Sequence, residues 1–241
     1  MAHGSFADQQ QTAVLDGHGW VIKSLLNGDE CSNLMTDSAS YGLVLKHYAD
    51  TSGEENSGRK CFRGSFRDKS LAEKLQSRVE KLLPKEQSGW ELDGVHDTFR
   101  LIHYEPGHYY GAHVDCSQML PTLRNGRRRK TFYTLMVYLN EGFGGGDLVF
   151  HDLVPEWRQT PQAGLGILFL QDVDQLRHSG EAVTSGGKYI LRGDVVYSVA
   201  HQPQAESEHE VYSSEEERLW GDDAFPCTAE QDPDSDSDFG P

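Results

Sequence analysis

The spacing of apolar and polar positions changes character near residue 95. Upstream, residues 68–83 (DKSLAEKLQSRVEKLL) repeat Leu71, Leu75, Val79 and Leu82 every three or four positions, which is the rhythm of one helix face. Ser70 and Glu73 suit a capping box, and Pro84 stands just past the end. A shorter helix is expected over 30–39, capped by Asp29 or a neighbour in the turn Asn27-Gly28-Asp29. Residues 20–26 and 41–48 read as extended, 51–59 and 87–94 as polar connections, and 1–18 as loose.

Downstream, short β-rich runs alternate with glycine turns. Extended segments are expected over 99–104, 109–115, 131–140, 148–151 and 165–170. Residues 116–130 read as a long loop. Gly142, Gly144, Gly145 and Gly146 mark a sharp turn within 141–147. Residues 177–183 and 188–199 read as two strands paired across Thr184-Ser185-Gly186-Gly187. Many short strands after a helical start predict a mainly β, α+β domain with flanking helices and a jelly-roll (double-stranded β-helix) core. The expected organisation is a flexible N-terminus over 1–19, a single domain over 20–205 and a disordered acidic tail over 206–241. Within the domain, helical support occupies 20–95 and the jelly roll 96–200.

Charge sharpens the last boundary. From Glu206 onward there are thirteen acidic residues against Arg218 alone, a net of −12 out of the chain's −16, so the folded part carries only −4. Such a composition cannot bury enough apolar surface to fold. Its acidic serine tract resembles a casein-kinase target, although a solubilising tail is the simpler reading. No apolar run reaches membrane-spanning length and no signal peptide is visible, so a cytoplasmic or nuclear location is expected. Cys31, Cys61, Cys116 and Cys227 form no C-x-x-C motif. Reduced thiols are expected, and Cys31 with Cys61 is the one pair worth checking.

The candidate chemistry centres on His113-Val114-Asp115. On an extended backbone, residues i and i+2 share a face, so an imidazole and a carboxylate stand side by side. A later histidine, His178, would complete the two-histidine, one-carboxylate set that binds Fe(II) and leaves coordination positions open. Lys188 could return into the barrel and pair with the far end of a dicarboxylate, which a buried ammonium requires. The Tyr104 hydroxyl and Thr134 are further polar neighbours.

These motifs in this order resemble the prolyl 4-hydroxylase branch of the Fe(II)/2-oxoglutarate dioxygenases. The likeness runs through His103-Tyr104-Glu105-Pro106-Gly107, His113-Val114-Asp115, Tyr138-Leu139-Asn140 and Phe143-Gly144-Gly145-Gly146-Asp147. It continues through Gly164–Phe169, His178-Ser179-Gly180 and Gly187-Lys188 to Arg192-Gly193-Asp194, and covers roughly residues 20–200. It implies His113, Asp115 and His178 as iron ligands, with Lys188 and Tyr104 on 2-oxoglutarate. It also implies consumption of O2 with release of succinate and CO2, and ascorbate to keep the iron reduced. The implied reaction hydroxylates an unactivated C–H bond, with peptidyl proline as the substrate that the branch suggests.

Two departures stand out. The family's Gly-Gly-Glu-Thr is here Gly145-Gly146-Asp147-Leu148, and its Arg-Thr-Asp is Arg192-Gly193-Asp194. Neither is expected to touch the triad. Lysine at 188 disfavours the arginine-using nucleic-acid demethylases, and no nucleic-acid or membrane partner is expected. The basic run from Arg124 to Lys130 is ordinarily a solvated loop; it could instead attract an acidic peptide or the chain's own tail. His151, His201 and His209 receive no role. Two other readings stand beside the leading one: a hydroxylase of a free amino acid or other small molecule, expected to have a narrow lidded pocket, and a catalytically silent jelly-roll binding protein.

Overall fold

The computed structural model describes residues 11–48, 58–123 and 126–200. Residues 1–10, Arg124, His201, His209, Cys227 and the whole acidic tail lie outside this set, and the expectations made for them with it. Among the described residues, no helix is long and apolar enough to cross a membrane.

One sheet curls upon itself. Its broad half runs, strand beside strand, Gln11–Val14, Gly19–Ile22, Gly166–Leu170, Arg128–Tyr138, Lys188–Val199, Thr98–Tyr104 and Arg59–Arg67. The pairing then passes through Arg59↔Tyr110 and Lys60↔Tyr109 into a narrow half made of Tyr109–His113, His178–Gly180, Leu148–Phe150 and Trp157–Gln159. Every pairing among these strands is antiparallel. The expected jelly roll is present.

Period-two alternation distributes the side chains between two cores. On one face Phe99, Leu101, Tyr133, Leu135, Val137, Leu191 and Val195 pack against Leu34, Leu71, Leu75 and Val79 of the helices. On the other, Ile102, Tyr104, Tyr138 and Ile190 meet Leu148 and Phe150 of the narrow half inside the roll. Helix α1 (Gly28–Thr36) begins at Asn27, which forms a reciprocal capping box with Glu30. Helix α2 (Lys69–Val79) begins at Asp68, whose carboxylate accepts from the Leu71 amide. The expected Ser70–Glu73 box is therefore replaced by a cap two residues earlier, and the last turn, Glu80–Leu82, tightens to a 3-10 helix. Arg78 of α2 makes two hydrogen bonds of 2.8 Å to Glu30, which ties the two helices together.

Cys116 is disulfide-bonded, against the expectation of reduced thiols throughout, whereas the two faces keep Cys31 and Cys61 apart. Cys31 is buried in the helix-side core and Cys61 in the roll interior, and both are free thiols. The sheet lies between them, so the pair does not form. Residues 11–14, expected to be loose, form a hairpin with Gly19–Ile22. Residues 87–94 likewise contain a hairpin (Glu86–Gln87 with Trp90–Val95) instead of an open connection.

The expected pairing of 177–183 with 188–199 does not occur. His178–Gly180 pairs with Tyr109–His113 and Leu148–Phe150, and Val183–Ser185 pairs with Gly144–Gly145. Lys188–Val199 pairs instead with Arg128–Tyr138, Thr98–Tyr104 and Trp90–Val95. The glycine-rich link between them crosses from the narrow half to the broad half. It therefore places His178 and Lys188 on opposing walls.

Candidate active site

His113 ends the strand Tyr109–His113 and His178 begins the strand His178–Gly180; the two are direct cross-strand partners. Partners of this kind hold their Cβ atoms about 5 Å apart, and here the ring centroids are 4.3 Å apart. Asp115 lies two residues beyond the strand end, with Oδ1 3.4 Å from His113 Nε2. One ligand-capable atom from each of His113, Asp115 and His178 lies within 4.8 Å of the others.

Both imidazoles are held in one orientation. The Nδ1 atoms of His113 and His178 are each 2.9 Å from a backbone carbonyl, of Gly111 and Leu176 respectively. A hydrogen bond to a carbonyl requires the proton on Nδ1, so the Nε2 lone pair is left for a cation. Phe150 and Phe169 pack on His178 with centroids at 5.0 and 5.1 Å. Burial, with the neighbouring His113 adding to it, pushes the His178 pKa down to about 4 against the opposing pull of Asp115. The ring is neutral, as a ligand must be.

Asp115 is held from the other side. Thr134 Oγ1 donates to its Oδ2 at 2.6 Å and Arg192 donates to the same oxygen at 3.2 Å. Burial would raise the carboxyl pKa, but Arg192 foremost, then both histidines, hold it well below the ordinary range. Two expectations change here. Thr134, expected near a co-substrate, serves Asp115. Arg192, expected to miss the triad, touches it, because Lys188, Ile190, Arg192 and Asp194 share the inward face of one strand.

The network runs further. Arg192 also reaches Asp194 at 3.4 Å, Asp194 accepts from Arg100 at 3.1 Å, and the Gln171 amide donates to both Asp194 and Thr134. Two arginines and two aspartates thus form a buried chain that ends on the triad's carboxylate. Nothing in the sequence pattern singled out Arg100 or Gln171, since each looks ordinary in its own strand.

Lys188 is 2 % exposed and donates to the Gly146 carbonyl at 2.6 Å. Its ammonium lies 5.2 Å from the Tyr104 ring centroid and 5.5 Å from that of Tyr138. Burial lowers its pKa to about 7, with Asp147 and Glu181 partly offsetting the loss. Among the described residues, the buried Tyr138 hydroxyl has no hydrogen-bond partner. A buried hydroxyl without an acceptor, beside an ammonium bonded to one carbonyl, leaves donors that a carboxylate would satisfy. Tyr138 was read only as part of a family motif; its pairing with Lys188 depends on the register Tyr138↔Ile190. Gly146, at φ +75°, is required here, since a Cβ would lie 3.1 Å from Lys188 Cδ.

Among the described residues, the basic side chains of 127–130 do not form one cluster. Residues from Arg128 onward belong to a strand, and alternation separates them. Arg127 pairs with Glu91 at 2.7 Å, Arg128 lies over Trp90, and Lys130 pairs with Asp172 at 3.5 Å. Arg129 turns the other way, into a cleft of about 850 Å³ next to α2. The triad does not line this cleft, but Arg100, Thr131 and Asp194 do, and these belong to the network around Asp115.

Residues 99–194 match the sequence profile of the 2OG-Fe(II) oxygenase superfamily. This segment is a 2OG-Fe(II) oxygenase domain. It is the domain of a 2-oxoglutarate-dependent dioxygenase, and its superfamily implies Fe(II), 2-oxoglutarate and O2. The fold of the oxygenase domain and its flanks is also found in solved structures. A viral collagen prolyl hydroxylase from Paramecium Bursaria Chlorella virus-1, solved as a 2-oxoglutarate complex, aligns at 24% identity with TM-score 0.56, over 77% of this chain and 99% of the viral one. A prolyl hydroxylase from Trichoplax adhaerens, in complex with a hypoxia inducible factor peptide fragment, aligns at 16% identity with TM-score 0.54, over 74% and 83%. A Pseudomonas putida prolyl-4-hydroxylase aligns at 18% identity with TM-score 0.50, over 74% and 91%. No curated protein matches the chain by sequence.

Proposed function

We propose that this dioxygenase hydroxylates peptidyl proline, with His113, Asp115 and His178 holding Fe(II) and Lys188 holding 2-oxoglutarate. The observation that carries the metal assignment is the pair of imidazoles whose Nδ1 atoms are committed to carbonyls, facing one carboxylate. Three cis donors about 2.1 Å from one cation stand roughly 3 Å apart, and the 3.4 Å between His113 Nε2 and Asp115 Oδ1 is close to that. The donor set, two nitrogens and one oxygen without sulfur, suits Fe(II) with open positions.

When bound, iron with 2-oxoglutarate and O2 supplies the oxidation of the C–H bond, with succinate and CO2 as co-products and ascorbate as the reductant that maintains the metal. The chain's own residues do the rest. Lys188 and the Tyr138 hydroxyl bind the distal carboxylate, and Tyr104 closes the wall beside them. Arg192 and Thr134 fix the Asp115 carboxylate and keep it ionised. Phe150 and Phe169 exclude water behind His178. A cleft of about 850 Å³, lined by Arg100, Thr131 and Asp194 of the network though not by the triad, supports the peptide reading over that of a free amino acid.

Incubation of the full chain with Fe(II), ascorbate, 2-oxoglutarate and proline-rich peptides tests the reading. Succinate should form together with one added oxygen on proline. Succinate without peptide modification would move the substrate elsewhere, and iron binding without succinate would favour a silent binding protein.

A further inference from the structure

We propose that the cleft beside α2 binds an acidic side chain of the substrate and that Arg129 is the residue that selects it. This inference rests on the peptide-hydroxylase reading above and adds to it a charge requirement next to the reacting residue.

Arg67 and Arg100, from neighbouring strands, line the cleft together with Arg129. Its lip is Met119, Leu120 and Pro121, with Met119 half exposed, a wall against which extended backbone can lie. Arg100 is already paired with Asp194. Arg129 is not paired: among the described residues it has no ion pair, and its Nε is fully buried without a hydrogen-bond partner. Leaving a buried guanidinium N–H unsatisfied is costly, and a carboxylate accepts from two such N–H groups at once. Arg67, which also lines the cleft, likewise has no ion pair among the described residues.

The acidic residues of the cleft do not remove this demand. Asp194 is shared by Arg100, Arg192 and Gln171, and Glu73 faces Lys69 at 3.7 Å on the exposed side of α2. Asp97 lies against His96 and Thr98, and Asp93 is exposed. None of them is bonded to Arg129. The cleft is also close to the chemistry. Its walls Asp194 and Thr131 reach Asp115 through Arg192 in the first case and through Gln171 and Thr134 in the second. The proposal seats the residues that flank the reacting proline in this cleft.

The test uses fluorescein-labelled 13-residue peptides with one central proline in an asparagine- and alanine-rich background, in which a single aspartate is moved through each position from five before to five after. At one or two positions, aspartate should lower KM about tenfold relative to asparagine, as a charge-assisted hydrogen bond at a partly buried site does. Arg129→Gln should abolish that preference, Arg129→Lys should restore part of it, and KM for 2-oxoglutarate should stay unchanged in both. Fluorescence polarisation without turnover gives a second reading, as does the 15N–1H resonance of Arg129 Nε, which should shift with the preferred aspartate peptide and not with its asparagine twin.

Peptides that are hydroxylated equally with aspartate or asparagine, or a preference that survives Arg129→Gln, overturn the acidic pocket and leave proline hydroxylation standing. If no peptide is oxidised, the proline reading fails, and polarisation together with the Nε resonance still decides whether Arg129 takes a carboxylate.

Discussion

At the scale of single residues, the site depends on who holds Asp115 and Lys188. Arg192 has a raised pKa because the carboxylates of Asp115 and Asp194 outweigh the effect of its burial. Replacing it by glutamine leaves two buried carboxylates with one cation fewer, a mechanism that costs roughly 3–5 kcal/mol when a buried pair is broken. Arg192→Gln should therefore unfold at markedly lower urea concentration. Its affinity for Mn(II), used as a redox-inert probe, should fall about 10–100-fold, the range typical for loss of a group that orients a ligand. Urea titration and electron paramagnetic resonance of free Mn(II) measure the two effects separately.

Lys188 supplies a pH dependence with a defined sign. With a pKa lowered by burial to about 7, the ammonium needed for a dicarboxylate is present below that pH and lost above it. KM for 2-oxoglutarate should rise as pH increases beyond 7. Binding near neutrality should also take up protons, because the bound anion raises the lysine's pKa. Calorimetry in two buffers of different ionisation enthalpy reads the uptake directly. Lys188→Arg, which stays charged, should show no uptake.

At the scale of elements, α2 buries Leu71, Leu75 and Val79 against the back of the sheet that carries Lys188 and Arg192 on its front. Leu75 is completely buried, and Leu75→Ala should cost about 2–5 kcal/mol. Loss of the Asp68 cap should cost about 1 kcal/mol. Both belong to the support and not to the chemistry, so chemical denaturation should register them while kcat at low temperature stays near that of the parent. Gly64 is a stricter constraint. A Cβ there would lie 2.2 Å from the Tyr41 carbonyl oxygen, where the chain crosses the strand that continues into Phe66, itself stacked on Tyr41. Gly64→Val should fail to yield folded protein, judged by near-ultraviolet circular dichroism.

The elements also show where sequence reasoning reached its limit. The helical face of α2 and the extended run over 131–140 were legible because burial imposes a composition and a period on neighbouring residues, although the strand starts at Arg128, inside the expected loop. The pairing of Lys188–Val199 was not. Thr184–Gly187 has hairpin composition, but composition reports that the chain can turn, not which strand it meets afterwards. The same gap hid Arg192 from the triad. Its inward face is a parity count along the strand, whereas its contact with Asp115 depends on register across the sheet.

At the scale of the molecule, the proposed metal site joins distant segments. His113 and His178 belong to the narrow half of the curled sheet, while Asp115 is gripped by Thr134 and Arg192 from the broad half. A cation bound there links the two halves and should stabilise the whole domain. At one hundred times its dissociation constant, Mn(II) should add about 2.7 kcal/mol by mass action. Thermal unfolding with Mn(II) and with a chelator should differ accordingly, and His178→Ala should erase the difference. An equal shift in that variant would place the stabilising ion elsewhere.

The sequence by itself determined the class of element at most positions, the buried character of the central strand, and the identity of the candidate ligands. These follow from local rules: the period of burial, the chemistry of imidazole and carboxylate, and the two-residue spacing of His113 and Asp115. Only the tertiary structure decided which strand lies beside which. From that came the opposition of His178 and Lys188, the arginine–aspartate chain leading to Asp115, the pairing of Tyr138 with Lys188, and the turn of Arg129 into the cleft while its neighbours face outward. These are contacts between segments tens of residues apart, and they depend on the register and curl of a sheet that only forms once all of its strands have packed.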